Sequence, residues 1–180
     1  MESKIIFGFG TLVFTNSLIR KLRNATHIKA CYIKGFERNF NLWDPIGFKE
    51  TKVEKEIMGV PHCALDVQTI SKQDSIVNGV MFQMDNTHFE ELKLREKEYN
   101  LIETNIYDFE SNEIIGSGYL FSANKNNGTF NFKCKAQLKY LDICLEGAKE
   151  FGNDFYTQFL KSTYIENKPL NQVIEIKSLI

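Results

Sequence analysis

Apolar and polar residues follow two different periods along this chain, and each period predicts one kind of element. Apolar runs or alternating stretches bounded by turn residues are typical of strands. Six segments have that pattern: residues 5–9, 27–41, 57–67, 77–84, 99–109 and 114–123. Gly35 interrupts the second segment and predicts a bend or bulge there, and Gly79 predicts a close backbone approach. Residues 99–109 and 114–123 are expected to pair as a hairpin.

Apolar residues spaced three and four apart predict helices between these strands. Leu18, Ile19 and Leu22 share one face of a first helix, for which Thr15 or Asn16 would be the N-cap. Residues 137–151 form a longer amphipathic pattern, and Gly152 would end it. A last helix is expected from Asn153 or Asp154 to about residue 164. The elements are mixed along the chain, so we expect one α+β domain over residues 1–180.

The helix that follows the strand at 77–84 carries the most informative residue, Glu96. Thr87 and Glu90 have the spacing of a capping box, which predicts the helix start at Thr87. Phe89, Leu92 and Glu96 then lie on one face, so a carboxylate occupies the side that should pack inward. An acid at such a position, near a helix C-terminus, is electrostatically costly and usually has a partner or a task.

Two interpretations of Glu96 stay open at this point. In the structural one, an Arg, a Lys or backbone amides hold the carboxylate. In the functional one, it lines a site. Glu98 is a second acid nearby, but it falls on the opposite face of the helix.

The turn after the first strand is a second candidate feature. Gly8 and Gly10 interrupt the apolar run, and a helix follows, an arrangement that can present backbone N–H groups to an anion. A purely structural turn fits equally well. The turn has neither the third Gly of a dinucleotide fingerprint nor the GK[ST] of a P-loop.

Composition excludes several classes of protein. A net charge of −1 argues against a broad nucleic-acid interface, and no apolar run is long enough to span a membrane. The first apolar run is also too short for a signal peptide, so we expect a cytoplasmic protein. The four cysteines have no CxxC spacing and the three histidines no HExxH motif, so no metal or other cofactor is expected.

Several stretches together resemble the gamma-glutamylcyclotransferase superfamily, which includes the ChaC-type and AIG2-like proteins. Phe9–Leu12 is similar to the family's YGSL loop, and Val77–Phe82 to the strand before its key helix. Leu94–Glu96, with Tyr99 after it, resembles the segment that carries the catalytic glutamate. Tyr140–Gly152 closely resembles a family helix, and Gly35–Phe40 resembles a strand of the ChaC-like members.

The resemblance implies a fold, a reaction and a site. The fold is a small mixed β-barrel flanked by helices, with one cavity. The reaction releases 5-oxoproline from a small γ-glutamyl substrate, which is an amine, an amino acid derivative or glutathione, and it requires no cofactor. Glu96 would be the general acid and base. The substrate-binding residues would be Phe9, Gly10, Thr11, Leu12 and Tyr140.

The sequence departs from the family pattern at two places. Phe9 lacks the hydroxyl of the usual Tyr, so the backbone amides of residues 10–12 would have to provide an anion site. Lys97 and Glu98 replace a Gly that often follows the glutamate, which makes Glu98 a rival for Glu96. An inactive binding protein and a different amide-cleaving enzyme on the same fold are the alternative functions.

Three further expectations concern the surface. Arg38 could contact an acidic substrate at the rim, although an ordinary surface role is favoured. Residues 41–55, rich in charge and containing a Pro and a Gly, are expected to form a loop that Trp43 anchors. The tail after Pro169 is expected to be extended.

Overall fold

Strands and helices are mixed along the chain in the computed structural model, which describes residues 3–45 and 60–173. The strands within these ranges are β1 (Ser3–Gly8), β2 (Thr26–Lys34), β3 (Phe36–Asp44), β4 (His62–Thr69), β5 (Ile76–Asp85), β6 (Asn100–Asp108), β7 (Ile114–Ser122), β8 (Thr163–Ile165) and β9 (Lys168–Pro169). The helices are α1 (Thr15–Lys21), α2 (Asn86–Arg95), α3 (Lys135–Glu150) and α4 (Asn153–Lys161), with single 3₁₀ turns at Gly10–Val13 and Leu170–Gln172.

Five of the strands close into a barrel in the order β1-β5-β2-β6-β7. The neighbours pair antiparallel except where β1 meets β7, which run parallel at Ile6 and Tyr119. The barrel is therefore mixed, and β6 and β7 form the expected hairpin. These findings confirm the α+β class and the small β-barrel.

Gly35 carries the chain from the barrel into a second sheet. It has a φ of 79°, in the left-handed region that Gly adopts without a Cβ penalty, and this confirms the predicted bend. The second sheet has the order β4-β3-β8-β9. Strands β8 and β9 have three and two residues, too few for an alternating pattern to predict them.

Gly79 lies in β5 where this strand runs antiparallel beside the end of β1, and the predicted close backbone approach is present there. A Cβ atom built on Gly79 would lie 2.5 Å from the Gly8 carbonyl oxygen and 2.6 Å from Cζ of Phe7. No real side chain tolerates such distances, so only Gly permits this packing. The close contact fixes the end of β1, from which the turn at residues 9–12 departs.

Arg38 is fully buried at the junction of the two sheets, so the expectation that it lies at a substrate rim or on the surface is wrong. Its Nε donates to Oγ1 of Thr163 at 2.7 Å, and Nη2 donates to Oδ1 of Asn78 and Oγ of Ser162, each at 3.1 Å. The guanidinium also lies 3.8 Å from the ring centroid of Phe159. Burial lowers the pKa of Arg38 to about 9, which leaves it charged at neutral pH.

The helix starts differ from the predicted caps. Asp85, the last residue of β5, caps α2 by accepting the His88 N–H at 3.0 Å, so Thr87 lies inside the helix. Asp and Thr are both favourable N-cap residues, and Asp85 takes this position because β5 ends there. Phe14 precedes α1, and Gly152, with a φ of 91°, is the N-cap of α4.

The expected loop at 41–55 is only partly described. Residues 41–44 continue β3, and the rest of that segment from residue 46 onward lies outside the described residues, as do residues 57–59 and 174–180. Trp43 is 43% exposed, and its backbone N–H donates to Oδ1 of Asn127 at 3.0 Å. After Pro169 the described residues form a 3₁₀ turn, Leu170–Gln172, and the rest of the tail that is expected to be extended lies outside the described residues.

Replacing Arg38 by Ala should lower the free energy of unfolding by about 3 kcal/mol or more. The variant leaves buried acceptors on Asn78 and Thr163 unsatisfied and opens a void. Urea unfolding followed by circular dichroism measures the change. Lys72→Ala, at an exposed turn, is the control and should stay within about 0.5 kcal/mol of the wild type. A loss below about 1 kcal/mol for Arg38→Ala would show that the junction does not depend on this side chain.

Candidate active site

A cavity of about 230 Å³ brings together five of the six site residues that the sequence singled out. Those that line it are Phe9, Thr11, Leu12, Glu96 and Tyr140. Gly10 lies beside it, because a Cβ built on Gly10 would be 2.9 Å from the Tyr140 hydroxyl. Phe7, Leu65, Phe82 and Phe121 are among the apolar residues of the wall.

The turn between β1 and α1 forms one wall of this cavity. Gly10 has a φ of 63°, and Gly10–Val13 form a single 3₁₀ turn. The Leu12 N–H donates to the Phe9 carbonyl at 3.3 Å, so Leu12 contributes its side chain and not, as expected, an available amide. A 3₁₀ helix leaves its first amides without an intrahelical acceptor, and these are Gly10 and Thr11.

Helix α3 holds this turn in place through a close backbone contact. A Cβ atom built on Gly147 would lie 2.5 Å from the Phe14 nitrogen, so the helix and the segment after the turn touch directly. Ala148 beside it is fully buried. The predicted close packing at these two small residues is therefore confirmed.

Tyr140 projects from the same helix and is 4% exposed. Its hydroxyl accepts the Leu65 N–H at 3.3 Å, and its ring packs against Phe40 and His62 with centroids 5.9 and 5.2 Å away. Burial raises the pKa of Tyr140 well above 10, so the phenol is neutral at physiological pH. The residue is a rigid, uncharged wall of the cavity.

Glu96 lines the cavity directly after the last residue of α2. Its N–H donates to the Leu92 carbonyl at 2.9 Å, and its side chain is 27% exposed. Oε1 accepts from Nε of Arg95 at 2.9 Å, so the carboxylate has a cationic partner, and both residues line the cavity. Glu98 is exposed and does not line the cavity, which favours Glu96 over its rival.

Four polar residues of the cavity were not among the predicted site residues, although Arg95 and Tyr99 belong to the motif around Glu96: Lys21, Asp44, Arg95 and Tyr99. Nζ of Lys21 donates to Oγ1 of Thr11 at 2.9 Å and so places a cation next to the turn. Burial, followed by the charges of Glu96 and Asp44, raises the pKa of Tyr99. Lys21 and Arg95 look like ordinary cations at helix ends in the sequence, and no signal distinguished them.

Among residues 3–45 and 60–173, no group of three or more His, Cys, Asp and Glu side chains is arranged to hold a metal ion. Within the same ranges, no helix combines the length and the apolar composition needed to cross a membrane.

Comparisons with known proteins identify the fold. No protein-family model matches the chain, and no curated protein sequence matches it significantly. Solved structures do match. A gamma-glutamyl cyclotransferase is similar with a TM-score of 0.64 and 16% identity over 99% of this chain and 98% of that one. An uncharacterized human protein is similar with a TM-score of 0.65, 16% identity and the same coverage.

A yeast gamma-glutamyl cyclotransferase specific to glutathione also matches, with a TM-score of 0.54 and 12% identity over 95% of this chain and 93% of that one. The chain therefore has the gamma-glutamylcyclotransferase-like fold, as its sequence motifs indicated. At these identities the likeness concerns the fold.

Gly10→Ala should destabilise the protein by roughly 1–2 kcal/mol because the added Cβ is strained at positive φ. It should also collide with the Tyr140 hydroxyl. Unfolding of the two single variants, Gly10→Ala and Tyr140→Phe, and of the double variant separates the two effects. We expect Gly10→Ala to cost less in the Tyr140→Phe background, where the hydroxyl is absent. Equal costs in both backgrounds would contradict the contact.

Proposed function

We propose that this protein is a gamma-glutamyl cyclotransferase that releases 5-oxoproline from a small γ-glutamyl compound, with Glu96 as the general acid and base. One observation carries the proposal: Glu96 and the turn residues Phe9, Thr11 and Leu12 line the same small cavity. Its volume of about 230 Å³ is slightly below the roughly 300–1,000 Å³ of pockets for drug-sized ligands, which suits a small substrate.

The charges of the cavity suit the α-carbon end of a γ-glutamyl group. Lys21 and Arg95 provide two cations, and Asp44 and Glu96 provide two acids, so the charged lining is balanced. A glutamyl α-carbon likewise carries one ammonium and one carboxylate. The amides of Gly10 and Thr11, next to the Lys21 ammonium, offer donors to the substrate carboxylate or to the developing oxyanion.

The reaction is intramolecular. Glu96 accepts a proton from the substrate α-ammonium, which has a pKa of about 8 in free compounds, and the resulting amine attacks the γ-carbonyl carbon. A new C–N bond closes the lactam ring, and the original amide C–N bond breaks. Glu96 returns its proton to the departing nitrogen, then takes the second proton of the ring nitrogen and passes it to the released amine, so the products are 5-oxoproline and an ammonium ion.

Positioning supplies much of the acceleration, because nucleophile and carbonyl belong to one molecule. Holding the glutamyl chain folded corresponds to an effective molarity of roughly 10⁵ M or more. Tyr140, neutral and rigid, would orient the glutamyl chain of the substrate toward Glu96. Phe9 has no hydroxyl, so in this protein the anion contacts fall to the backbone of the turn and to Lys21.

Glu96→Gln should lower kcat by about 10² to 10⁴-fold, because the amide can neither accept nor return the proton. The measurement is 5-oxoproline release from a panel of γ-glutamyl amino acids, γ-glutamyl amines and glutathione. Glu98→Gln removes a charge two residues away, outside the cavity, and is the matched control that should keep wild-type activity. Full activity in Glu96→Gln would refute the mechanism.

The second candidate function is a binding protein without catalysis, and Phe9 is the observation that favours it. Such a protein would bind γ-glutamyl compounds in calorimetry without releasing product. Glu96→Gln would then leave its activity at zero. Release of free glutamate instead of the lactam would identify a third function, ordinary amide hydrolysis.

A further inference from the structure

A second concave surface adjoins the candidate active site. This groove, of about 350 Å³, lies between the end of α1 and the helix α2. Lys21, Leu22, Leu92 and Arg95 line both the groove and the cavity that holds Glu96. A contact of 3.5 Å from Nη1 of Arg95 to the Lys21 carbonyl joins the ends of the two helices at this shared wall. The groove and the cavity are therefore neighbours that share this wall.

The groove is strongly cationic, whereas the cavity is balanced. Four cations line it, Arg20, Lys21, Arg23 and Arg95, against one acid, Glu91, although Arg95 is also paired with Glu96 of the cavity. His88, which also lines it, is engaged with Asp85 at 2.7 Å. The whole chain has a net charge of −1, so this excess of positive charge is local.

Arg20 and Arg23 distinguish the groove from a self-neutralised surface. Both are exposed, and within the described part of the chain neither has a carboxylate partner. Arg20 and Arg23 both lie within one turn of the α1 C-terminus, whose dipole favours cations there but supplies no carboxylate to neutralise them. Two unneutralised guanidinium groups beside a reaction site are well placed to bind carboxylate or phosphate.

We propose that the groove selects a leaving amine that carries two or more negative charges, as in a γ-glutamyl derivative of an acidic amino acid. The inference rests on the proposed function. The balanced cavity takes the zwitterionic end of the glutamyl group, and the groove takes the departing part. Arg20 and Arg23 are specificity-determining residues in this arrangement, and the catalytic step remains that of Glu96.

The test compares γ-glutamyl-glutamate with γ-glutamyl-glutamine, which have the same shape and differ by one charge on the leaving amine. Wild-type kcat/KM should be about fivefold to tenfold higher for γ-glutamyl-glutamate at low salt. Arg20→Gln/Arg23→Gln should reduce that ratio to about one without lowering the activity on γ-glutamyl-glutamine more than about twofold.

The matched control is Lys161→Gln/Lys168→Gln, which removes two exposed cations that line neither the cavity nor the groove. Its ratio should equal that of the wild type. The thermal midpoints of both double variants are compared as well. A purely structural role of Arg20 and Arg23 would lower the midpoint and leave the substrate ratio unchanged, and this result would overturn the inference.

Calorimetry with the same two compounds and the Glu96→Gln variant separates this inference from the proposed function. If neither compound releases 5-oxoproline but γ-glutamyl-glutamate binds more tightly, and Arg20→Gln/Arg23→Gln abolishes the difference, the groove's preference for the second negative charge stands as binding selectivity while the proposed function fails. Turnover of both compounds at equal rates leaves the proposed function intact and overturns the inference. Absence of both turnover and binding overturns both.

Discussion

The shape of the cavity depends on Arg38, a buried cation that does not itself line the cavity. Its walls come from the turn after β1 and the end of α2 on the barrel side, from Leu42 and Leu65 on the second sheet, and from Tyr140 on α3. The barrel and the second sheet must therefore hold a fixed position relative to each other. Arg38 of β3 holds this position, since its guanidinium donates hydrogen bonds to Asn78 on the barrel strand β5, to Thr163 on β8 and to Ser162 at the end of α4.

Glycine provides the other half of this constraint. At Gly79 and Gly147 two segments approach more closely than any side chain would allow. The first contact fixes the end of β1 and the second presses α3 against the segment after the turn. Between these two points the turn at residues 9–12 has little freedom, and a rigid backbone is what a site built from main-chain amides requires.

The sequence predicted most of this fold, because its strands and helices have clear periods and two glycines interrupt strands where the structure needs them. The sequence-based predictions were wrong or incomplete at positions where tertiary contacts determine the local structure. The cap of α2 moved from Thr87 to Asp85, because β5 ends at Asp85. Arg38 looked like a surface residue, since nothing in a strand of alternating polarity shows that its polar face is also covered. Strands β8 and β9 are too short to leave a pattern.

The residues of the candidate site also fall into two groups, those that the sequence predicted and those that only the structure reveals. Glu96 and the turn were found because they combine an unusual residue with a recognisable motif. Lys21 and Arg95 were not, because a cation at a helix end is common and only the folded chain brings them to the cavity. Both interpretations of Glu96 keep support, since its carboxylate has Arg95 as a partner and the residue also lines the cavity.

The acceptors around Arg38 have one consequence for the behaviour of the protein in acid. They are a side-chain amide, two hydroxyls and the carbonyls of Asn78 and Phe159, none of which takes up a proton at moderately low pH. A guanidinium held by carboxylates loses its partners on acidification, but this one does not. The hydrogen bonds of Arg38 between the two sheets should therefore persist at a pH that breaks the ion pairs on the surface.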